Sequence, residues 1–177
     1  MPITLYDAFV PSCLQIIGAV QALVDKAEAF CTEKGCGHAE IAEARLFDDM
    51  LPFGYQVKSV AEHSFDAIEG VRKGVFSPDM TPPPTSFAEM RDVLDAAVAG
   101  LGAVTAEEME GYIGRDMAFS IPSYNIEMPF TAENFLLSFS QPNFYFHATT
   151  AYGIMRHKGV TIGKLDFLGA LRLRVPA

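Results

Sequence analysis

Four stretches of the sequence repeat apolar residues at intervals of three and four positions, the period of a helix that is buried on one side. These stretches span residues 5–34, 55–75, 86–105 and 131–157. A helix with a single apolar stripe is stable only when other elements cover that stripe. The pattern therefore predicts an all-α fold, a bundle of four helices that occupies residues 1–177 as a single domain.

Local signals refine these boundaries. Gly35 is expected to end the first helix, and Thr85 or Ser86 to cap the third, with Glu89 near the capping-box position. Pro142 is expected to kink or divide the fourth helix, because proline cannot donate a helical hydrogen bond. Alternating apolar residues predict a short β-hairpin before the fourth helix: Met117, Phe119 and Ile121, then Tyr124, Ile126 and Met128.

The second predicted helix has a polar face that is expected to point to solvent. Its inward positions are mostly apolar, and Val57, Val60 and Ile68 are examples. The outward positions are Lys58, Glu62, Asp66 and Glu69. Alternating charges of this kind are typical of the exposed side of an amphipathic helix.

Composition limits the classes of partner. The chain has 22 acidic and 13 basic residues and a formal charge of -9, which repels nucleic-acid phosphates and anionic lipid headgroups. We therefore expect neither nucleic acid nor a membrane as partner. No Lys or Arg precedes Lys26, so a secretory signal is not expected. Three cysteines, an odd number without disulfide-framework spacing, suit a reducing compartment and a cytoplasmic location.

The fourth predicted helix carries the strongest candidate for a functional residue, His147, on its inward side. A buried imidazole there is a hydrogen-bonded core residue, a polar anchor in a small-molecule pocket, or a metal ligand. His63 lies at the edge of the apolar stripe of the second helix, on the same side as Gln56. Two facing histidines could hold a divalent metal, but a catalytic zinc normally has three protein ligands.

Three segments carry a resemblance to a known family: LYDAFVPSCLQ, DDMLPFGYQV and QPNFYFHATTAYGIMRHKGVTIGKLDFLG. They resemble a bacterial family known as a domain of unknown function, number nineteen-ninety-three, which is grouped with the DinB/YfiT-like metalloenzymes. The resemblance implies a DinB-like up-and-down four-helix bundle that is frequently dimeric. Relatives hold a divalent metal with three histidines, and some activate a thiol such as mycothiol, bacillithiol or glutathione.

Carried over residue by residue, the resemblance leaves the metal site incomplete. Two of the three histidines come from an HxxxH pair on the last helix; the first falls on His147, but Ala151 occupies the second position. The histidine of the second helix falls on His63. A third ligand would have to come from water or from one of three other residues, which are Asp49, Gln56 and His157.

Two hypotheses follow from the sequence. The first is a cytoplasmic, homodimeric protein with an internal pocket around His147 that binds an unidentified small molecule, with Gln56, His63 and Tyr152 as ligand-binding residues. The alternative is a metal-dependent thiol transferase or hydrolase, in which His147 and His63 bind one divalent metal (Zn, Ni, Mn or Fe). If the protein is an enzyme, His147 is the catalytic candidate, as ligand or general base.

Overall fold

The computed structural model describes residues 2–174, which form a mostly helical structure with a small three-stranded sheet. The α-helices are α1 (Leu5–Lys34), α2 (Ala39–Ala42), α3 (Phe53–Ala61), α4 (Ala67–Lys73), α5 (Phe87–Ala103), α6 (Ala106–Glu110), α7 (Ala132–Asn134), α8 (Gln141–His157) and α9 (Lys164–Leu168). Two π-helical turns, π1 (Glu62–Asp66) and π2 (Phe135–Ser140), join α3 to α4 and α7 to α8. The predicted domain, 1–177, includes residue 1 and residues 175–177, which lie outside the described part.

Helix α1 forms as the sequence predicts. Thr4 and Asp7 make a reciprocal capping box at its start, and Gly35 ends it with φ of 67°. Its stripe is buried in the core, where Phe9, Ile17 and Leu23 are fully covered. By length and composition α1 could also cross a membrane, with a mean hydropathy of 1.5 over 18 residues. Half of that window is buried within the structure, and a core helix passes the same test.

The second and third helical segments run parallel, so the up-and-down prediction is wrong for this pair. Near the start of both segments, a Cβ placed on Gly54 would lie 3.4 Å from Cε of Met90. Further along both, Phe65 lies against Gly100. The reason is the connection, residues 74–86: it returns along α3, where the carbonyl oxygen of Pro84 touches Gly54, and delivers the chain to the end at which α3 began.

The fourth helical segment is irregular just before Pro142, where a kink or a division was predicted, but it is not divided. Turn π2 ends at Ser140, and Pro142 lies at the first positions of α8. Proline lacks a backbone N–H and its ring conflicts with the preceding helical turn. The wider π-turn accommodates the missing N–H and the ring of this proline, so the helix continues into α8.

The predicted hairpin is confirmed, and a third strand joins it. Strands β2 (Asp116–Ile121) and β3 (Ile126–Thr131) pair antiparallel, and Asn125 takes the left-handed conformation in the turn. Strand β1 (Val75–Phe76) pairs parallel with Ala118 and Phe119 of β2. Two residues are too few to show an alternating pattern, so β1 could not be predicted from the sequence. The sheet lies where the second segment ends and the fourth begins.

We expect Gly54→Ala to destabilise the fold by about 1–3 kcal/mol, because the added Cβ would collide with the Pro84 carbonyl oxygen and displace the connection. Urea unfolding measures the change. The matched control is Gly18→Ala in α1, where a Cβ meets nothing within 4 Å. This control should stabilise the helix by about 0.5–1 kcal/mol. A Gly54→Ala protein as stable as wild type would contradict the close approach.

Candidate functional site

His63 and Ser140 bring the two π-turns into contact. The Ser140 hydroxyl lies 3.2 Å from the carbonyl oxygen of His63, to which it donates, and 3.3 Å from Nδ1 of the same residue. A hydroxyl has one hydrogen, and the carbonyl takes it. Nδ1 of His63 is therefore the N–H donor to Ser140, and the lone pair of the imidazole is on Nε2.

Gln56 fixes the second imidazole in the same way. Its amide nitrogen donates to the carbonyl oxygen of Leu51 at 2.8 Å, so its amide oxygen points towards His147. That oxygen lies 2.7 Å from Nδ1 of His147 and accepts a hydrogen bond from it. Gln56 is buried, which holds this orientation. His147 therefore also presents the lone pair of Nε2.

The two imidazoles, here called the histidine pair, stack against each other. The ring centroids of His63 and His147 are 5.7 Å apart and the ring planes differ by 7°. Aromatic rings surround them, namely Phe76 and Phe139 beside His63, and Tyr55 and Phe146 beside His147. Neither Nε2 atom has a hydrogen-bond partner within residues 2–174. The pair thus offers two free acceptors in apolar surroundings.

Burial keeps both rings neutral. It lowers the pKa of His63 to about 3, with a smaller contribution from the charge of His147, and it lowers the pKa of His147 to about 4. Desolvation disfavours the imidazolium form, because the site supplies no anion to compensate for the lost water. At neutral pH the lone pairs on Nε2 are therefore available to accept a hydrogen bond or to bind a metal.

The structure brings three of the four predicted site residues together. Gln56 is hydrogen-bonded to His147, and His63 stacks against His147, so the three residues form one cluster, as the shared helix faces predicted. Tyr152 is not part of it: its ring packs against Phe167 of α9 at 5.9 Å. Five residues along an α-helix correspond to a rotation of about 140°, which turns Tyr152 away from the side of His147.

Lys58 and Glu62 were predicted to face solvent, and this was wrong. They are 7% and 5% exposed, because the connection after α4 covers them. The Lys58 ammonium group donates to the carbonyl oxygens of Asp79 and Thr81 at 2.9 and 2.8 Å and pairs with the Asp79 carboxylate. Helical periodicity identifies a polar face but not what covers it. The sequence did contain one indication of this cover, namely the acidic and hydroxyl residues within the proline-rich loop.

Beneath this connection lies a cleft of about 680 Å³, here called the carboxylate cleft. Its lining includes Lys58, Glu62 and Phe65, and neither member of the histidine pair. The second helical segment therefore has two distinct polar faces. One carries the histidine pair against π2 and α8, and the other carries Glu62 in the cleft towards α5.

Comparison with known proteins identifies the family. The profile of the domain of unknown function DUF1993 matches residues 5–168. The chain belongs to this family. The crystal structure of a DinB family member protein from Shewanella denitrificans superposes with a TM-score of 0.80 at 28% sequence identity, covering 97% of this chain and 96% of that one. No curated protein matches. This DUF1993 chain is therefore DinB-like.

The donor set of this DUF1993 chain does not fit the three-histidine metal centre that the sequence resemblance implies. Ala151, at the position of the missing histidine, is fully buried and offers only a methyl group. Within residues 2–174 no group of three His, Cys, Asp or Glu side chains could hold a metal. The buried Ser59 hydroxyl, on the face of Gln56 and His63, has no partner in this part of the chain, but a neutral hydroxyl is not a usual ligand for zinc.

The depressed pKa values predict a loss of stability in acid. Between about pH 6.5 and pH 4 the unfolded chain binds protons that His63 and His147 in the folded chain do not, so the free energy of unfolding falls as the pH falls. His63→Asn, which keeps a donor towards Ser140 but cannot titrate, should show a smaller fall in urea unfolding across this range.

The control is His157→Asn, which makes the same substitution at an exposed position at the end of α8. Parallel curves for wild type and His63→Asn would contradict a neutral, buried His63.

Proposed function

We propose that the histidine pair binds a small molecule that carries a hydrogen-bond donor, such as a hydroxyl, N–H or thiol, on an apolar body. The observation that supports this most directly is the pair of free Nε2 atoms on stacked, neutral rings. The surrounding aromatic rings suit an apolar body. The unpartnered Ser59 hydroxyl adds a polar group on the same helix face.

Binding is better supported than proton abstraction. A general base is most effective when its pKa lies near the working pH. Burial lowers the pKa of His147 to about 4, so its neutral form at pH 7 is a weak base but a good hydrogen-bond acceptor. The role of His147 that we propose is therefore to position the ligand, with Gln56 fixing its ring.

The alternative function is that of a metal-dependent transferase or hydrolase of the DinB type. Neutral imidazoles with free Nε2 atoms, and the DinB family member among the similar structures, favour it. Against it, the chain supplies two histidines where a catalytic divalent metal normally has three protein ligands. A metal held by two protein ligands would dissociate more easily, which metal titration can test.

Location and assembly are proposals of the same kind. The three cysteines, Cys13, Cys31 and Cys36, are all free thiols, which suits a cytoplasmic protein.

Large apolar side chains are exposed at Phe47 and Phe146, the latter beside His147. We propose that such residues contribute to a homodimer contact, because covering an exposed phenylalanine removes apolar surface from water.

For the binding proposal we expect phenol, a donor on an aromatic body, to shift the Nε2 resonances of both histidines in ¹⁵N spectra of histidine-labelled protein. A hydrogen bond to Nε2 changes the shielding of that nitrogen directly. His147→Asn should abolish the effect on His63, and His157→Asn should leave both shifts as in wild type. Anisole, which has the same body without the hydroxyl donor, should produce no shift.

Titration of the same sample with zinc separates the two functions. If zinc shifts both Nε2 resonances at one equivalent and remains bound to the protein after desalting, the metal-dependent function is favoured and the binding proposal fails. If neither phenol nor zinc shifts them, both fail and the histidine pair is a core element.

For assembly, we expect light scattering at micromolar concentration to give about twice the chain mass of 19.3 kDa. Phe146→Ser should shift the equilibrium towards the monomer, because it removes exposed apolar surface. A wild-type protein that stays monomeric at that concentration would contradict the dimer.

A further inference from the structure

The carboxylate cleft is large enough for a small organic molecule. Its volume of about 680 Å³ lies within the range typical of ligand sites. The apolar part of its lining comes from Phe65, Val93, Ala97 and the prolines at 82–84. These side chains belong to π1, α5 and the connection between α4 and α5. A ligand with an apolar body would therefore remove apolar surface from water on three sides.

The charge of the lining is negative. Four carboxylates line the cleft, Glu62, Asp66, Asp79 and Glu89, against the single cation Lys58. The Lys58 ammonium group already binds the Asp79 carboxylate at 2.9 Å and two backbone carbonyl oxygens. It lies 4.0 Å from Glu62, beyond hydrogen-bonding distance. The cleft thus repels anions and leaves carboxylate charge without a counterion.

Glu62 is a buried carboxylate with a single hydrogen bond to residues 2–174. The residue is 5% exposed, and its Oε1 atom accepts a hydrogen bond from the backbone N–H of Asp79 at 3.1 Å. Its Oε2 atom makes no hydrogen bond to any of residues 2–174. Burial raises the pKa of Glu62 to about 7, more than Lys58 and the Asp79 amide lower it. A positive charge beside Oε2 would stabilise the carboxylate form.

We infer that the carboxylate cleft binds a small hydrophobic amine, whose ammonium group donates to Oε2 of Glu62 while its apolar body contacts Phe65, Val93 and the prolines. An ammonium group matches the negative lining, and a charge-assisted hydrogen bond to a buried carboxylate is among the stronger polar contacts. The volume suits a free amine of small-molecule size. This site is separate from the histidine pair and does not depend on the function proposed for it.

The test uses the full chain and three compounds with one body: phenethylamine, 2-phenylethanol and phenylacetate. Calorimetry at pH 7.5 should show the amine binding about tenfold or more tightly than the alcohol, and phenylacetate should bind least, because the lining repels it. The other charged groups that face Glu62 are Lys58, Asp66, Asp79 and Glu89.

Variants assign the effect to the cleft. Glu62→Gln keeps the acceptor for the Asp79 N–H and should weaken amine binding about tenfold without changing binding of the alcohol. Asp92→Asn, on the exposed side of α5, removes the same charge outside the cleft and should bind the amine as wild type does. Ala96→Trp, at an exposed position of the lining, should block the binding of phenethylamine.

Three results would each overturn the inference: no amine binding by wild type, equal affinity for amine and alcohol, or unchanged amine affinity in Glu62→Gln. His147→Asn should bind phenethylamine as wild type does, so loss of the phenol response and loss of amine binding are distinguishable. If His147→Asn lost amine binding, the compound would be at the histidine pair and the assignment to Glu62 would fail.

Discussion

Lys58 carries a positive charge beneath a covering loop, and a buried ammonium group must be neutralised and hydrogen-bonded to be tolerated. Its acceptors, on Asp79 and Thr81, belong to the connection that follows α4. The hydrogen bonds of Lys58 therefore fix the path by which the connection returns along α3. That path places α5 parallel to α3, covers Glu62 and roofs the carboxylate cleft. One desolvated charge thus links the topology of the fold to the shape of a ligand-sized space.

The two π-turns provide the second constraint. π-turns are rare and occur preferentially at functional sites, because they change which side chains face a neighbouring helix. Here the hydroxyl of Ser140 in π2 contacts both the carbonyl and the ring of His63 in π1. Adjacent residues of π1, Glu62 and His63, consequently reach different sites on opposite faces of one helical segment. Pro142 gives π2 a local cause, whereas π1 has no proline or glycine and is in contact with π2 through Ser140.

The sequence predicts what is local and periodic. The apolar repeats gave the long helices, Thr85 or Ser86 with Glu89 gave the cap of α5, and alternation gave the hairpin. Shared helix faces also placed Gln56 near His63. The sequence could not show the direction of α5 or the cover over Lys58, because both depend on where a proline-rich connection lies in space. Tyr152 was wrongly predicted as a site residue because its phenol can donate a hydrogen bond. Its angular position on α8 turns it away from His147 and towards Phe167.

The two sites act in opposite directions on the pH dependence of stability. Glu62 has its pKa raised to about 7, so the folded chain binds a proton that the unfolded chain lacks, and stability falls as the pH rises from about 4.5 to 7. The histidines, with pKa values lowered to about 3 and 4, make stability fall as the pH drops below about 6.5. Two histidines outweigh one glutamate in mild acid. The opposing slopes therefore cancel close to neutrality, where the histidine pair is uncharged and Glu62 is about half ionised. At that pH the histidine pair has the neutral acceptors that its proposed ligand requires. In the carboxylate cleft, Glu62 can become a carboxylate for the proposed amine by releasing a single proton.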